Sequence, residues 1–238
     1  ISFAIDNKMF LFLVVAITSL MEHSTNPRLL YNVYVMICDG INKTHDEGLK
    51  NLSNKYNRLT ISIIHTYKEL PKVKPFKNSC ASCLRLFTPE ILPNISKMIY
   101  LDVDTLILRD LDTFYNLNMT GLFLRGLIDY DYPHDLDKIN ITVDDYYINS
   151  GVLLMNLDEM RRDNFTGKVV DFAEKYYDKN MEFIDQAIIH GCCHNKTGLL
   201  PIDIGFQNVF THTRYYKVFF RAPYYFIFDI TNIIHTNK

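Results

Sequence analysis

The chain has 238 residues, 48% of them hydrophobic, enough to bury the core of one large domain or two closely packed halves. Its formal net charge of −2 excludes a general electrostatic footprint for nucleic acid. The 16 Tyr and 16 Phe, with no Trp, fit a globular protein rich in strands and aromatic clefts.

Ile1–Ile5 reads as a first strand that ends at Asp6-Asn7. The apolar run from Met9 to Leu20 follows it. That run is too short for a bilayer span, which takes about 20 apolar residues. It also lacks the basic flank and small-residue cleavage site of a signal peptide, so a buried helix to about Glu22 is expected. The chain opens inside a strand without an initiator Met and reads as a fragment. Tyr31–Cys38 is a second strand, 44–56 a polar helix, and Leu59–Ile64 a third strand rich in β-branched residues. Strand and helix alternating in this way imply an α/β protein of right-handed βαβ units and a parallel sheet. No GxGxxG follows the first strand, so the usual pyrophosphate grip is missing. A nucleotide, if bound, has to be held another way, and a metal would do it.

Residues 80–92 form a helix that carries Arg85. Next comes the stretch around which the chain is organised, Met98-Ile99-Tyr100-Leu101-Asp102-Val103-Asp104. An apolar run ends in two carboxylates, which are depleted in strands and costly to bury unpaired. They belong at the carboxyl end of a short strand, where open α/β sheets bind ligands. Two convergent carboxylates make a hard oxygen site suited to Mg²⁺ or Mn²⁺, and the ion in turn suits a diphosphate. The same spacing recurs at Asp110/Asp112, Asp129/Asp131 and Asp135/Asp137, where a helix cap, a turn or a solvated loop is the alternative reading.

A short helix over Leu111–Tyr115 and a strand from Leu122 to Leu127, ending at Asp129, come next. The polar, aromatic and acidic loop from Tyr130 to Tyr147 is long enough to be functional or disordered. Asn149-Ser150-Gly151 leads into Val152-Leu153-Leu154-Met155; the Gly admits close backbone approach to a ligand, or makes a plain turn. Phe165–Tyr177 is amphipathic. Asp185-Gln186 opens a helix through His190, where an acidic residue ordinarily complements the helix dipole. Ile233-Ile234-His235 repeats the strand logic near the end.

Cys80-Ala81-Ser82-Cys83 and the adjacent Cys192-Cys193 raise a zinc or redox reading, against which structural thiols are the simpler account. Asn42, Asn51, Asn94, Asn118, Asn140, Asn164 and Asn195 each begin Asn-x-Ser/Thr, where roughly two such triplets are expected by chance. The excess points toward a eukaryotic secretory lumen; otherwise a cytoplasmic, membrane-peripheral location is expected.

Taken in order, Phe3-Ala4-Ile5-Asp6-Asn7, Arg85-Leu86, Tyr100-Leu101-Asp102-Val103-Asp104, Tyr147-Ile148-Asn149-Ser150-Gly151-Val152, Asp185-Gln186, Leu200-Pro201 and Ile233-Ile234-His235 resemble glycosyltransferase family 8 over essentially the whole chain. The resemblance implies a GT-A fold: a single domain with a Rossmann-like mixed sheet and helices on both faces. Residues 1–104 would be the nucleotide-binding half and 105–238 the sugar and acceptor half. It implies a retaining transferase that moves a hexose from a UDP-sugar to a glycan, lipopolysaccharide or other hydroxyl acceptor. Mn²⁺, with Mg²⁺ as the alternative, would be held by Asp102, Asp104 and His235. Asp6 and Asn7 would meet the uracil and ribose. Arg85, Asn149, Ser150, Gly151, Asp185 and Gln186 would surround the donor sugar, with Asp129 near sugar and acceptor.

Two departures stand out. The family's Gly and Lys-Pro-Trp after the late His are absent, and Cys83 stands where an aromatic is common. Either the fragment stops short or diphosphate binding is impaired. The competing readings are a GT-A domain that binds sugar nucleotide or glycan without turnover, and a thiol–zinc module.

Overall fold

The structure is a computed structural model that describes residues 1–38, 40–66, 81–129, 136, 147–176, 184–201 and 227–229. Its first part alternates as β1 (Ser2–Ile5), α1 (Phe10–Glu22), β2 (Tyr31–Ile37), α2 (Lys43–Lys55) and β3 (Leu59–His65). A broken helix follows, with α3 (Ala81–Leu84), a 3-10 turn over Arg85–Phe87 and α4 (Thr88–Ile91), and leads into β4 (Lys97–Leu101). One continuous helix was expected here, and Pro89 breaks it. Pro89 has no N–H to offer the Arg85 carbonyl, which instead accepts from Thr88 Oγ1 at 2.9 Å.

After β4 come β5 (Thr105–Ile107), α5 (Asp112–Tyr115), β6 (Leu124–Ile128), β7 (Ile148–Asn156), α6 (Leu157–Arg162), α7 (Phe165–Tyr176), α8 (Ile184–Cys193), β8 (Thr197–Leu199) and β9 (Ile227–Asp229). The main sheet has the order β3-β2-β1-β4-β7-β6-β8, and β5 pairs with β9 separately. Pairing is parallel among β3, β2, β1 and β4. β7 runs antiparallel to both β4 and β6, so the sheet is mixed where strand–helix alternation alone implies a parallel one. Parallel neighbours need a crossover, commonly a helix. The sequence between β6 and β7 carries no amphipathic helical pattern, and those strands pair antiparallel.

Alternate residues of the central strands feed two cores, as a two-residue side-chain period requires. Ile99 and Leu101 of β4 join Val152 and Leu154 of β7 under α1, against Leu13 and Ile17. Met98, Tyr100, Leu153 and Met155 pack on the opposite face against Met160, Val169, Ala173 and Ile188 of α6, α7 and α8. Helices therefore cover both faces, and the near-continuous apolar strands β1 and β4 are those of a sheet buried on both sides. No described helix is long and apolar enough to cross a membrane.

Candidate active site

Asp102 lies one residue past β4, and its amide still donates to the Gly151 carbonyl of β7 at 2.8 Å. The chain then turns, with Thr105 N and Oγ1 both donating to the Asp102 carbonyl at 3.2 and 2.7 Å. The turn lifts the Asp102 carboxylate out of the sheet at the carboxyl ends of β1 and β4.

Arg85 meets it there. The guanidinium is only 5% exposed and donates from Nη2 to Asp102 Oδ1 at 2.8 Å and from Nη1 to Oδ2 at 3.3 Å. Nη1 also donates to the Ser150 carbonyl at 2.6 Å and to Ser150 Oγ at 3.1 Å. Nε donates to the Ser82 carbonyl at 2.9 Å and lies 3.2 Å from Asp185 Oδ2. Burial alone would lower the Arg85 pKa, but Asp102, Tyr100 and Asp185 together hold it above the ordinary guanidinium value. A buried cation is tolerated because carboxylates and carbonyls replace its water.

Ser150 and Gln186 extend the network to the other side. Ser150 Oγ donates to Asp185 Oδ2 at 3.0 Å, and Ser150 N donates to Gln186 Oε1 at 2.9 Å. Gln186, 3% exposed, donates from Nε2 to Asp129 Oδ2 at 2.8 Å. Both ends of that amide are committed, which fixes its orientation. Strand β7, helix α8 and the end of β6 are thereby tied to the end of β4.

Of the residues singled out in the sequence, Arg85, Asp102, Ser150, Gly151, Asp185, Gln186 and Asp129 thus belong to one connected group. Asn149 joins it through Oδ1, which accepts from Gly151 N at 2.7 Å. The Asn-Ser-Gly segment lies within β7 rather than in a turn. Its Gly is required by packing: a Cβ at Gly151 would fall 2.7 Å from Asp102 Oδ2. Asp104 sits two residues on, at the same turn. Asp6 and Asn7 follow the end of β1, the strand beside β4. Asp6 accepts from Lys8 N and Met9 N and so caps a 3-10 turn. Asn7 donates to the Gly40 carbonyl at 2.8 Å and its Oδ1 lies 3.0 Å from His45 Nδ1. His235, the third expected metal ligand, is outside the described residues, as are Cys80 and Asn140. Among the described residues no cluster of three metal-ligating side chains occurs. Cys38 is disulfide-bonded, while Cys83, Cys192 and Cys193 are in no disulfide.

Tyr100 is the group that sequence reasoning left without a task. Its hydroxyl donates to Asp102 Oδ1 at 3.0 Å, and the Arg85 guanidinium carbon lies 4.6 Å from its ring centroid. Burial pushes the phenol well above its ordinary pKa, so it stays a donor. The available signal was the two-residue spacing, which puts Tyr100 and Asp102 on one face of a strand.

A family model for glycosyl transferase family 8 matches residues 1–237. A putative glycosyltransferase of Haemophilus influenzae is 29% identical over 202 residues, covering 82% of this chain and 59% of its own length. The lipopolysaccharide 1,2-glucosyltransferase of Escherichia coli is 23% identical over 208 residues, 84% of this chain and 60% of the relative. The chain thus spans about three fifths of each. Among solved structures, the galactosyltransferase LgtC in complex with donor and acceptor sugar analogs superposes with a TM-score of 0.71 at 24% identity, over 86% of this chain and 74% of LgtC. Mouse xyloside xylosyltransferase 1, in its apo form, gives 0.70 at 15% identity over 96% of each chain. The shared fold is GT-A.

Proposed function

The chain belongs to glycosyltransferase family 8, and on that premise we propose that it moves a hexose from a UDP-sugar to a hydroxyl of a glycan or glycolipid, with retention and with a divalent cation, Mn²⁺ before Mg²⁺. The lipopolysaccharide glucosyl transfer of the E. coli relative and the donor and acceptor sugar analogs in complex with LgtC support the substrate classes.

The observation that carries the reading is the group of carboxylates gathered around Arg85 at the strand ends. One buried guanidinium faces Asp102 and Asp185, Asp129 follows through Gln186, and Asp104 lies at the same turn. Hard oxygen donors gathered at a strand-end crevice suit Mn²⁺ or Mg²⁺. Asp102 and Asp104 are the residues to hold it, with His235 as the expected third. When bound, the ion acts as a Lewis acid for the diphosphate leaving group.

The chain's own residues have separate tasks. Arg85 and Tyr100 fix the Asp102 carboxylate. Ser150 holds Asp185 through Oγ and Gln186 through N, so both side chains are set before a sugar arrives. A negative oxygen on Asp185 and the amide oxygen of Gln186 stabilise the positive charge that develops at an anomeric carbon. Asp129, held by Gln186, completes the acidic wall beside it.

The test is a screen of UDP-Glc, UDP-Gal, UDP-GlcNAc and UDP-Xyl for hydrolysis and transfer with Mn²⁺, run on the parent and on Asp104→Ala. Turnover of at least one donor that requires the ion and vanishes in the variant is expected. Binding of UDP-sugar with no turnover of any donor would give the site to a non-catalytic role.

A further inference from the structure

Seven Asn-x-Ser/Thr triplets occur in the chain against roughly two expected, and the transferase reading makes no use of them. Six of the seven Asn are described, at 42, 51, 94, 118, 164 and 195, and all six are exposed. Outside the triplets the described Asn are divided: Asn32, Asn54, Asn57 and Asn116 are exposed, while Asn7, Asn26, Asn149 and Asn156 are partly covered.

Four of the six also share one end of the fold. Asn94 precedes β4, at the end of that strand opposite Asp102. Lys97, the first residue of β4, donates from Nζ to the Leu117 carbonyl at 2.9 Å, which brings the neighbouring Asn118 to the same end. Phe123 N donates to the Lys196 carbonyl at 2.7 Å, placing Asn195 beside the start of β6. Lys196 Nζ lies 3.4 Å from Asp163 Oδ2, which places Asn164 beside Asn195. β6 and β4 run in the same direction, each antiparallel to β7, so all four Asn cluster at the strand ends away from Arg85 and Asp102. Asn42 differs: it caps α2, accepting from His45 N at 2.9 Å, and sits beside Asn7 at the other end.

We propose that Asn94, Asn118, Asn164 and Asn195 are N-glycan acceptor sites, so that the end of the fold opposite the crevice is sheathed in carbohydrate and the crevice stays open. The cosubstrate is an oligosaccharide linked to a lipid pyrophosphate in a secretory lumen. In the modification the Asn carboxamide nitrogen forms a C–N bond to the anomeric carbon. The bond from that carbon to the pyrophosphate oxygen breaks, the lipid pyrophosphate leaves with the electron pair, and the amide gives up one proton. Nothing is oxidised or reduced. Exposure is necessary because the glycan is bulky and must project into solvent after folding. The Cys38 disulfide is an independent sign of the same compartment, since disulfides persist where the milieu is oxidising.

The protein purified from the cells that make it is to be treated with peptide N-glycosidase in heavy-oxygen water and mapped by peptide mass spectrometry. Each glycosylated Asn then reads as a heavy-oxygen aspartate. Labelling at three or more of the four sites is the expected result. Unlabelled asparagine at two or more would overturn the proposal. Alkylation before reduction supplies the second readout: Cys38 protected from the reagent is expected, and Cys38 recovered as a free thiol would overturn the assignment of compartment.

Discussion

Gly151→Ala isolates the closest approach in the site. The added Cβ falls 2.7 Å from Asp102 Oδ2 and 3.0 Å from Asn149 Oδ1, whereas ordinary contact begins about 0.7 Å further out. The carboxylate has no easy retreat, because Arg85 Nη2 and Tyr100 OH hold its Oδ1 at 2.8 and 3.0 Å. Moving it by the missing ~0.7 Å takes the Arg85 contact beyond hydrogen-bond range. A charge-assisted bond of this kind is worth about 1.5–3 kcal/mol, similar to the ~1–3 kcal/mol cost of overpacking a core. A stability loss of about 2 kcal/mol is therefore expected from urea titration. On the proposed function turnover needs Asp102 in place, so it is expected to fall ~10²-fold, equivalent to about 2.7 kcal/mol. Gly121→Ala is the control. Its φ of +72° makes an Ala strained, yet nothing lies within 4 Å of the new Cβ. It is expected to lose ~1–2 kcal/mol of stability with parental turnover. Parental stability and turnover in Gly151→Ala would refute the packing argument.

Three further outcomes follow from the same contacts. Arg85→Lys keeps the charge but cannot reproduce the fork that reaches Asp102, Ser150 and the Ser82 carbonyl, so a loss of about 2–4 kcal/mol is expected on denaturant titration, and a midpoint equal to the parent's would refute it. Asp185→Asn retains an oxygen for Ser150 Oγ and removes the charge, so a folded variant with kcat down ~10²-fold or more is expected; kcat within a few-fold of the parent would leave Asp185 a dipole-complementing role in α8 and nothing more. Burial pushes the Cys192 thiol up to about 12, so alkylation by iodoacetamide at pH 8 should run ~10³-fold slower than for an unperturbed thiol, and fast labelling would return the vicinal pair to a reactive role.

The strands were legible because they are buried on both faces. Ser2–Ile5 and Lys97–Leu101 are runs of β-formers that need no partner to be recognised. Direction was less legible. Nothing within Ile148–Asn156 says that it runs against its neighbours, because pairing sense is settled by what connects the strands. The Asn-Ser-Gly segment looked like a turn because Gly and Asn favour turns locally. In the fold its Gly serves a contact with Asp102, 49 residues earlier, that no local rule encodes. Arg85 was found only through the family resemblance. Its reach to Asp102 and Ser150 depends on how α3 docks on the sheet, and periodicity is silent on that.

The carboxylate pair itself needs a finer reading than its spacing gives. A carboxylate offers about four lone-pair positions. At Asp102, two are taken by the Arg85 fork and a third by Tyr100 OH. At most one direction remains for a cation, so Asp102 can contribute a single oxygen and cannot chelate. Its placement is then decided by Arg85 and Tyr100 before any ion arrives, and the entropy of orienting it is already met in the fold. Asp102 is thus a fixed anchor, tied to the buried Arg85 guanidinium. Asp102→Ala would therefore strip a buried guanidinium of its main partner and confound binding with folding, which makes Asp104→Ala the variant to test the proposed metal.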